Sequence, residues 1–119
     1  MEKVEIIGTK NYTKIFAVDE KGEGGANHHY LVEQITDTET KQFADVLFQK
    51  GPIKVHGING CCDEDLIAIV IHRLQGFQKG EFSCRENAIA ITKLEEALLW
   101  LNKRTAERIR RGVEGTHIK

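Results

Sequence analysis

Asp63-Glu-Asp-Leu-Ile-Ala-Ile-Val-Ile-His-Arg-Leu-Gln-Gly-Phe-Gln78 is where the chain changes period. Leu66, Ile67, Ile69, Val70, Ile71, Leu74 and Phe77 recur at helical spacing and cover more than one stripe. Asp63, Glu64 and Asp65 crowd the first turn, where negative charge complements the helix dipole. Gly80 supplies a stop. A second, longer helix is expected to open at Ser83-Cys-Arg-Glu86, a capping-box pattern with Ser83 as N-cap and Glu86 three residues on. It runs to about Arg111, with Gly112 as its stop. The loop between the two is short, so they pack as an antiparallel hairpin.

Upstream the period is two. Val4 and Ile6 alternate with Lys3 and Glu5, and Ile15 and Ala17 alternate with Lys14, Phe16 and Val18. His29 to Thr36 and Phe43 to Phe48 alternate in the same way, with Asp37-Thr-Glu-Thr40 as the turn between them. Short runs of this kind joined by turns predict an antiparallel β-meander. Gly8-Thr-Lys-Asn11 is turn-rich, and Asp19 to Asn27 forms a long, glycine-loaded connection expected to be mobile. The expected class is therefore α+β: a meander over 1–50, a connector over 51–61, a helical hairpin over 62–112 and a tail over 113–119, all in one domain.

The 119 residues carry 17 Lys plus Arg and 18 Asp plus Glu, a net charge of -1. A near-neutral sum excludes a broad basic surface of the kind that binds DNA, RNA or a membrane. No apolar run approaches the ~20 residues of a membrane span. The charged N-terminus does not read as a signal peptide. Cys61, Cys62 and Cys84 fit free thiols in a reducing compartment. The charge is unevenly spread. Residues 1–50 sum to -3, 51–101 to -2 and 102–119 to +4, and all six arginines lie in the second half. Arginine, with its rigid five-donor fork, is the better reader of phosphate, so anion chemistry is expected there.

One hairpin on one small sheet cannot cover the apolar surface of both helices. The simplest burial is against a second copy, as a four-helix bundle about a two-fold axis. Arg104, Arg108 and Arg111 follow i, i+4, i+7 and share one face at ~100° per residue. They form either a solvated helix end or a phosphate-binding ridge. Arg85 opens the same helix, and in an antiparallel dimer it comes near the Arg104 region of the other copy. Phe77 and Phe82 bracket the helix turn, and either is a core plug or a ring on which a nucleobase stacks. Asn87 beside them serves local capping or reads a base edge.

Other chemistries find little support. His28, His29, His56 and His117 stand at no metal-ligand spacing, so neither metal nor cofactor is expected. There is no nucleophile elbow, no phosphate loop, and no legible Ser-His-Asp or Cys-His order. Gly22-x-Gly24-Gly25 lacks the dinucleotide fingerprint. The chain reads as a binder, not an enzyme.

The second half resembles a known family. The matching stretches are Phe48-Gln-Lys-Gly-Pro-Ile-Lys54, Gly57-Ile-Asn-Gly60, Glu64-Asp-Leu-Ile-Ala-Ile-Val70, Arg73-Leu-Gln-Gly-Phe-Gln78, Cys84-Arg-Glu-Asn87, Thr92-Lys-Leu-Glu-Glu-Ala97, Trp100-Leu101, Lys103-Arg-Thr105 and Arg111-Gly-Val-Glu-Gly-Thr-His117. They are similar to the Thoeris anti-defence sponge family of phages, first type, whose helical hairpin is shared with anti-CBASS nucleotide sponges.

The resemblance implies a non-catalytic protein in the cytoplasm of an infected bacterium. Its implied ligand is a cyclic ADP-ribose isomer, glycocyclic ADP-ribose, made by a TIR-domain defence enzyme. It also implies dimers, and in some members hexamers with further sites for cyclic oligonucleotides. Residue by residue, it implies Phe77 as the adenine-stacking ring, Asn87 as a polar reader and Arg104 as a phosphate ligand. Arg85, Arg108, Arg111, Phe82, Thr116 and His117 are secondary candidates. The competing readings are a cyclic di- or trinucleotide sponge, a signal-cleaving enzyme and a nucleic-acid-binding phage protein.

Overall fold

The computed structural model describes residues 3–6 and 12–119. The turn expected at Gly8–Asn11 lies outside them. In order the elements are β1 (Val4–Glu5), β2 (Lys14–Ala17), β3 (His29–Ile35), β4 (Thr40–Leu47), α1 (Ile53–His56), α2 (Asp63–Gln78) and α3 (Arg85–Arg110). The class is the α+β arrangement that the change of period implied. The chain divides into two units, Met1–Cys61 and Cys62–Lys119.

The first unit is a four-stranded sheet in the order β1-β2-β3-β4, with every neighbour antiparallel. Phe16 pairs with Leu31 and Ala17 with Tyr30, which sets the register between β2 and β3. A bulge at Val32/Glu33 shifts the register between β3 and β4. Among the described residues of this unit, Phe16, Ala17 and Val18 are the buried apolar ones, and Glu33 is buried as well at 4% exposure. A buried carboxylate needs a partner, and the Lys3 ammonium supplies one at 2.7 Å. On β4, the apolar Phe43 and Leu47 are exposed.

The connector is more structured than its Pro-Gly composition implied. It contains the one-turn helix α1 and returns to the sheet through a parallel bridge between Phe48 and Cys61. Gln49 and Asn59 tie its two ends. Gln49 Nε2 donates to the Gly57 carbonyl at 2.8 Å, and Asn59 Nδ2 donates to the Lys50 carbonyl at 2.8 Å. Gly60 is required at that closure, because a β-carbon there would stand 2.4 Å from the Phe48 carbonyl carbon.

The glycine-loaded connection is bonded to itself. The Asp19 carboxylate accepts from the His28 backbone N–H at 3.0 Å and from Asn27 Nδ2 at 3.2 Å, and Gly22 donates to the Ala26 carbonyl at 2.9 Å. Partial burial raises the pKa of the Asp19 carboxyl. Hydrogen bonds from the His28 backbone and the Asn27 side chain outweigh that and hold it below the usual carboxylate range.

The second unit is the hairpin of α2 and α3. Asp65 in the first turn of α2 accepts the Cys62 N–H at 2.8 Å, so the acidic start caps the helix as well as answering its dipole. The N-cap of α3 is Cys84, one residue later than the capping-box pattern implied. Gln78 decides the difference. Its Nε2 donates to the Cys84 carbonyl at 3.0 Å and its Oε1 accepts the Cys84 N–H at 2.9 Å, fixing Cys84 at the turn. The Cys84 sulfur then accepts the Asn87 N–H. Ile71 is the buried residue of α2, while Ile69, Val70, Leu99, Trp100 and Ile109 remain exposed on the hairpin.

Candidate functional site

The candidate residues fall at the two ends of the hairpin. At the turn end stand Phe77 in the last turn of α2, Phe82 in the loop, and Arg85 and Asn87 in the first turn of α3. Phe77 is half-buried, whereas Phe82 is 70% exposed. The geometry therefore gives a fixed wall to Phe77 and leaves Phe82 out on the loop. Asn87 spends only its backbone N–H on capping. Its half-buried side-chain amide has no hydrogen-bond partner among the described residues, so both its donor and acceptor edges remain for a ligand.

The far end holds the basic stripe, and its members differ. Arg108 is committed to the tail. Its Nε bonds Glu114 at 3.1 Å, and its terminal nitrogens bond the carbonyls of Val113 at 3.0 Å, Thr116 at 3.2 Å and Ile118 at 2.7 Å. Arg111 bonds the Lys119 carbonyl, and Arg110 pairs with Glu107 at 2.8 Å. The guanidinium of Arg104 is exposed and has no hydrogen-bond or ion-pair partner among the described residues. One helix face thus carries an open arginine and two that strap the tail down.

That strap begins with a left-handed residue. Gly112 has φ 73°, and the Val113 N–H reaches back to the Arg108 carbonyl at 3.0 Å, the six-to-one bond of a Schellman motif. Val113, the residue after this turn, is buried. The Thr116 hydroxyl donates to the Val113 carbonyl and accepts the Ile118 N–H, so it serves the tail's own structure. His117 is exposed beside it.

The separation of the two ends is decisive. Asn87 and Arg104 are seventeen residues apart on one continuous helix, about 26 Å at 1.5 Å per residue. One small nucleotide cannot touch both in the same hairpin.

Sequence reasoning overlooked one member of this group. Arg73 lies one turn before Phe77 on α2, with its guanidinium carbon 4.8 Å from the Phe77 ring centroid. The i, i+4 spacing was the available signal.

The first unit contains a depression of about 290 Å³ lined by Asp19, His28, His29, Leu47, Phe48, Lys50 and Asn59. Its polar side chains are largely engaged with one another or with nearby backbone. Asp19 holds the His28 N–H, His29 Nε2 meets Asp45 at 2.7 Å, and Asn59 bonds both backbone groups of Lys50.

Comparison with known proteins bears on the hairpin directly. Residues 40–106 match the family described as the Acb2/Tad1 hairpin domain. The match takes in Phe77, Asn87 and Arg104 and ends before Arg108. Across almost its whole length the chain is similar to a protein called Thoeris anti-defense 1 from Bacillus phage SBSphiJ7. The two are 50% identical over 139 aligned positions, which span 98% of this chain and 97% of the phage protein.

Proposed function

The chain belongs to the Acb2/Tad1 hairpin family of phage anti-defence proteins, and from that membership we propose that it sequesters a nucleotide defence signal without cleaving it. The ligand is a cyclic ADP-ribose isomer, glycocyclic ADP-ribose, made by a TIR-domain enzyme of the Thoeris system. The protein acts in the cytoplasm of the infected host. None of its described helices is long and apolar enough to cross a membrane.

The observation that carries this reading is the contrast among polar groups on the hairpin. Phe77 offers a ring held in place by its helix, while Asn87 and Arg104 offer an amide and a guanidinium with no hydrogen-bond or ion-pair partner among the described residues. Stacking, amide recognition and guanidinium–phosphate contact hold a nucleotide. None of the three supplies a nucleophile or moves a proton at neutral pH, so the chemistry of these residues is retention. Retention works by mass action. A sponge that meets its ligand at low concentration must bind tightly, and tight binding is achieved chiefly through slow release.

The site is shared between two copies. The 26 Å from Asn87 to Arg104 is bridged when a second hairpin lies antiparallel to the first, bringing Arg104 of one copy to Phe77 and Asn87 of the other. The exposed Ile69, Val70, Leu99 and Trp100 supply the apolar surface for that association.

Complementation tests both statements. Phe77→Ala and Arg104→Ala should each abolish binding of glycocyclic ADP-ribose. Co-expressed, the two variants form heterodimers in which one of the two sites is intact. A random mixture should therefore recover about a quarter of the unaltered site count in titration calorimetry. No recovery places each site within one chain. Retained binding by either variant alone removes that residue from the site. Tighter binding of a cyclic di- or trinucleotide by the unaltered chain moves the ligand class to those signals.

A further inference from the structure

Three of the six arginines keep their guanidinium groups without a hydrogen-bond or ion-pair partner among the described residues: Arg73, Arg85 and Arg104. The other three are held by the tail or by Glu107. Arg104 already has a place in the proposed nucleotide site, and Arg85 is a secondary candidate for it. Arg73 has no such place, yet it is the arginine in direct contact with the stacking ring. It is exposed, and its guanidinium carbon lies 4.8 Å from the Phe77 ring centroid.

The contact engages the guanidinium as a cation over the ring, and none of its N–H donors is hydrogen-bonded among the described residues. An ion-pair role needs a carboxylate, and none pairs with it among the described residues. A base-stacking ring and a fork of phosphate donors therefore sit side by side on one helix face, one turn apart. A nucleotide carries its base and its phosphate on one ribose, which matches that juxtaposition.

We propose that Arg73 is a phosphate-binding residue of the Phe77 site, donating from its edge to the pyrophosphate of the ligand whose base stacks beside it. The inference rests on the nucleotide-binding reading above and extends it. Arg73 comes from the same copy as the stacking ring, while Arg104 comes from the other. The pyrophosphate is then gripped from both copies, and release requires both grips to open.

The competing role for Arg73 is to cover the Phe77 ring and nothing more. Arg73→Met distinguishes the two, because methionine packs well on an aromatic ring but donates no hydrogen bond. Glycocyclic ADP-ribose is titrated calorimetrically into the full chain and into Arg73→Met and Arg73→Lys, at low and at high salt. Arg73→Met should bind at least about tenfold more weakly at low salt, the scale of one lost charge-assisted contact. Arg73→Lys should fall between it and the unaltered chain.

The gap should narrow at high salt, where the charge is screened. Thermal unfolding of both variants should match the unaltered chain. Arg73→Met binding within twofold of the unaltered chain overturns the proposal in favour of the covering role. A loss of equal size at every salt concentration overturns it as well, since packing is not screened. No binding by the unaltered chain overturns the nucleotide reading and this inference together.

Discussion

Arg104 and Arg108 are one helical turn apart, have the same side chain, and occupy different chemical situations. Arg108 has its Nε and both terminal nitrogens bonded to the tail, and Arg104 is open. The i, i+4, i+7 spacing placed both on one face, which the helix confirms. It carried no information about which of them is spent, because the groups that occupy Arg108 are backbone carbonyls of an irregular tail, and backbone carbonyls leave no mark in a sequence. The two substitutions should separate. Arg104→Ala should abolish ligand depletion with an unchanged circular dichroism spectrum and unfolding midpoint. Arg108→Ala should instead lower stability, by about 1–3 kcal/mol on the scale of charge-assisted bonds lost, read from urea titration. Equal effects of the two on stability would contradict the distinction.

Asp19 provides the residue-scale pH prediction. Its pKa is depressed in the folded chain, so its contribution to stability is full above the unfolded value of 3.8 and is lost as pH falls through the lower folded value. The first unit should therefore lose stability on acidification below about pH 4, and Asp19→Asn should flatten that dependence. An unchanged acid limb in Asp19→Asn, followed by the amide signals of residues 19–28, would contradict it.

At the scale of elements, both helices and the start of α2 at Asp63 were legible, whereas the start of α3 was not. The apolar recurrence over 63–78 and the long band beyond it marked α2 and α3, and Gly112 marked the end of α3. The N-cap moved from Ser83 to Cys84 because Gln78 reaches across the turn, a contact between elements that local propensity does not contain. The one-turn α1 and the Gln49–Asn59 closure were hidden for the same reason. Gly112 can be tested as an element stop. At φ 73° a β-carbon is disfavoured, so Gly112→Ala should cost about 1–2 kcal/mol. It should also expose the Val113 and Thr116 amides to hydrogen exchange while the middle of α3 stays protected. Unchanged protection of those two amides would mean that the strap does not depend on the turn.

For the whole molecule, the net charge of -1 is the sum of an arginine-free meander at -3, a middle stretch over 51–101 at -2 and a basic helix end at +4. That distribution suits a compact dianion held by a few guanidinium groups better than a long polyanion. The apolar excess on the hairpin is the second molecular feature. Ile69, Leu99 and Trp100 are each at least 60% exposed, and with Val70 they supply the surface through which two copies associate in the proposed function. Trp100→Glu should convert the protein to a monomer in sedimentation velocity and abolish ligand retention, leaving helix content intact. A monomeric unaltered chain at micromolar concentration would remove the shared site.

The most direct test of sequestration follows the fate of the ligand. The protein is incubated with glycocyclic ADP-ribose, separated with whatever it has bound, denatured by heat, and the released material is identified by mass spectrometry. Sequestration predicts that free ligand falls in proportion to added protein and that heat returns it chemically intact and in full. Recovery of a cleaved product, or no depletion before heating, would contradict it.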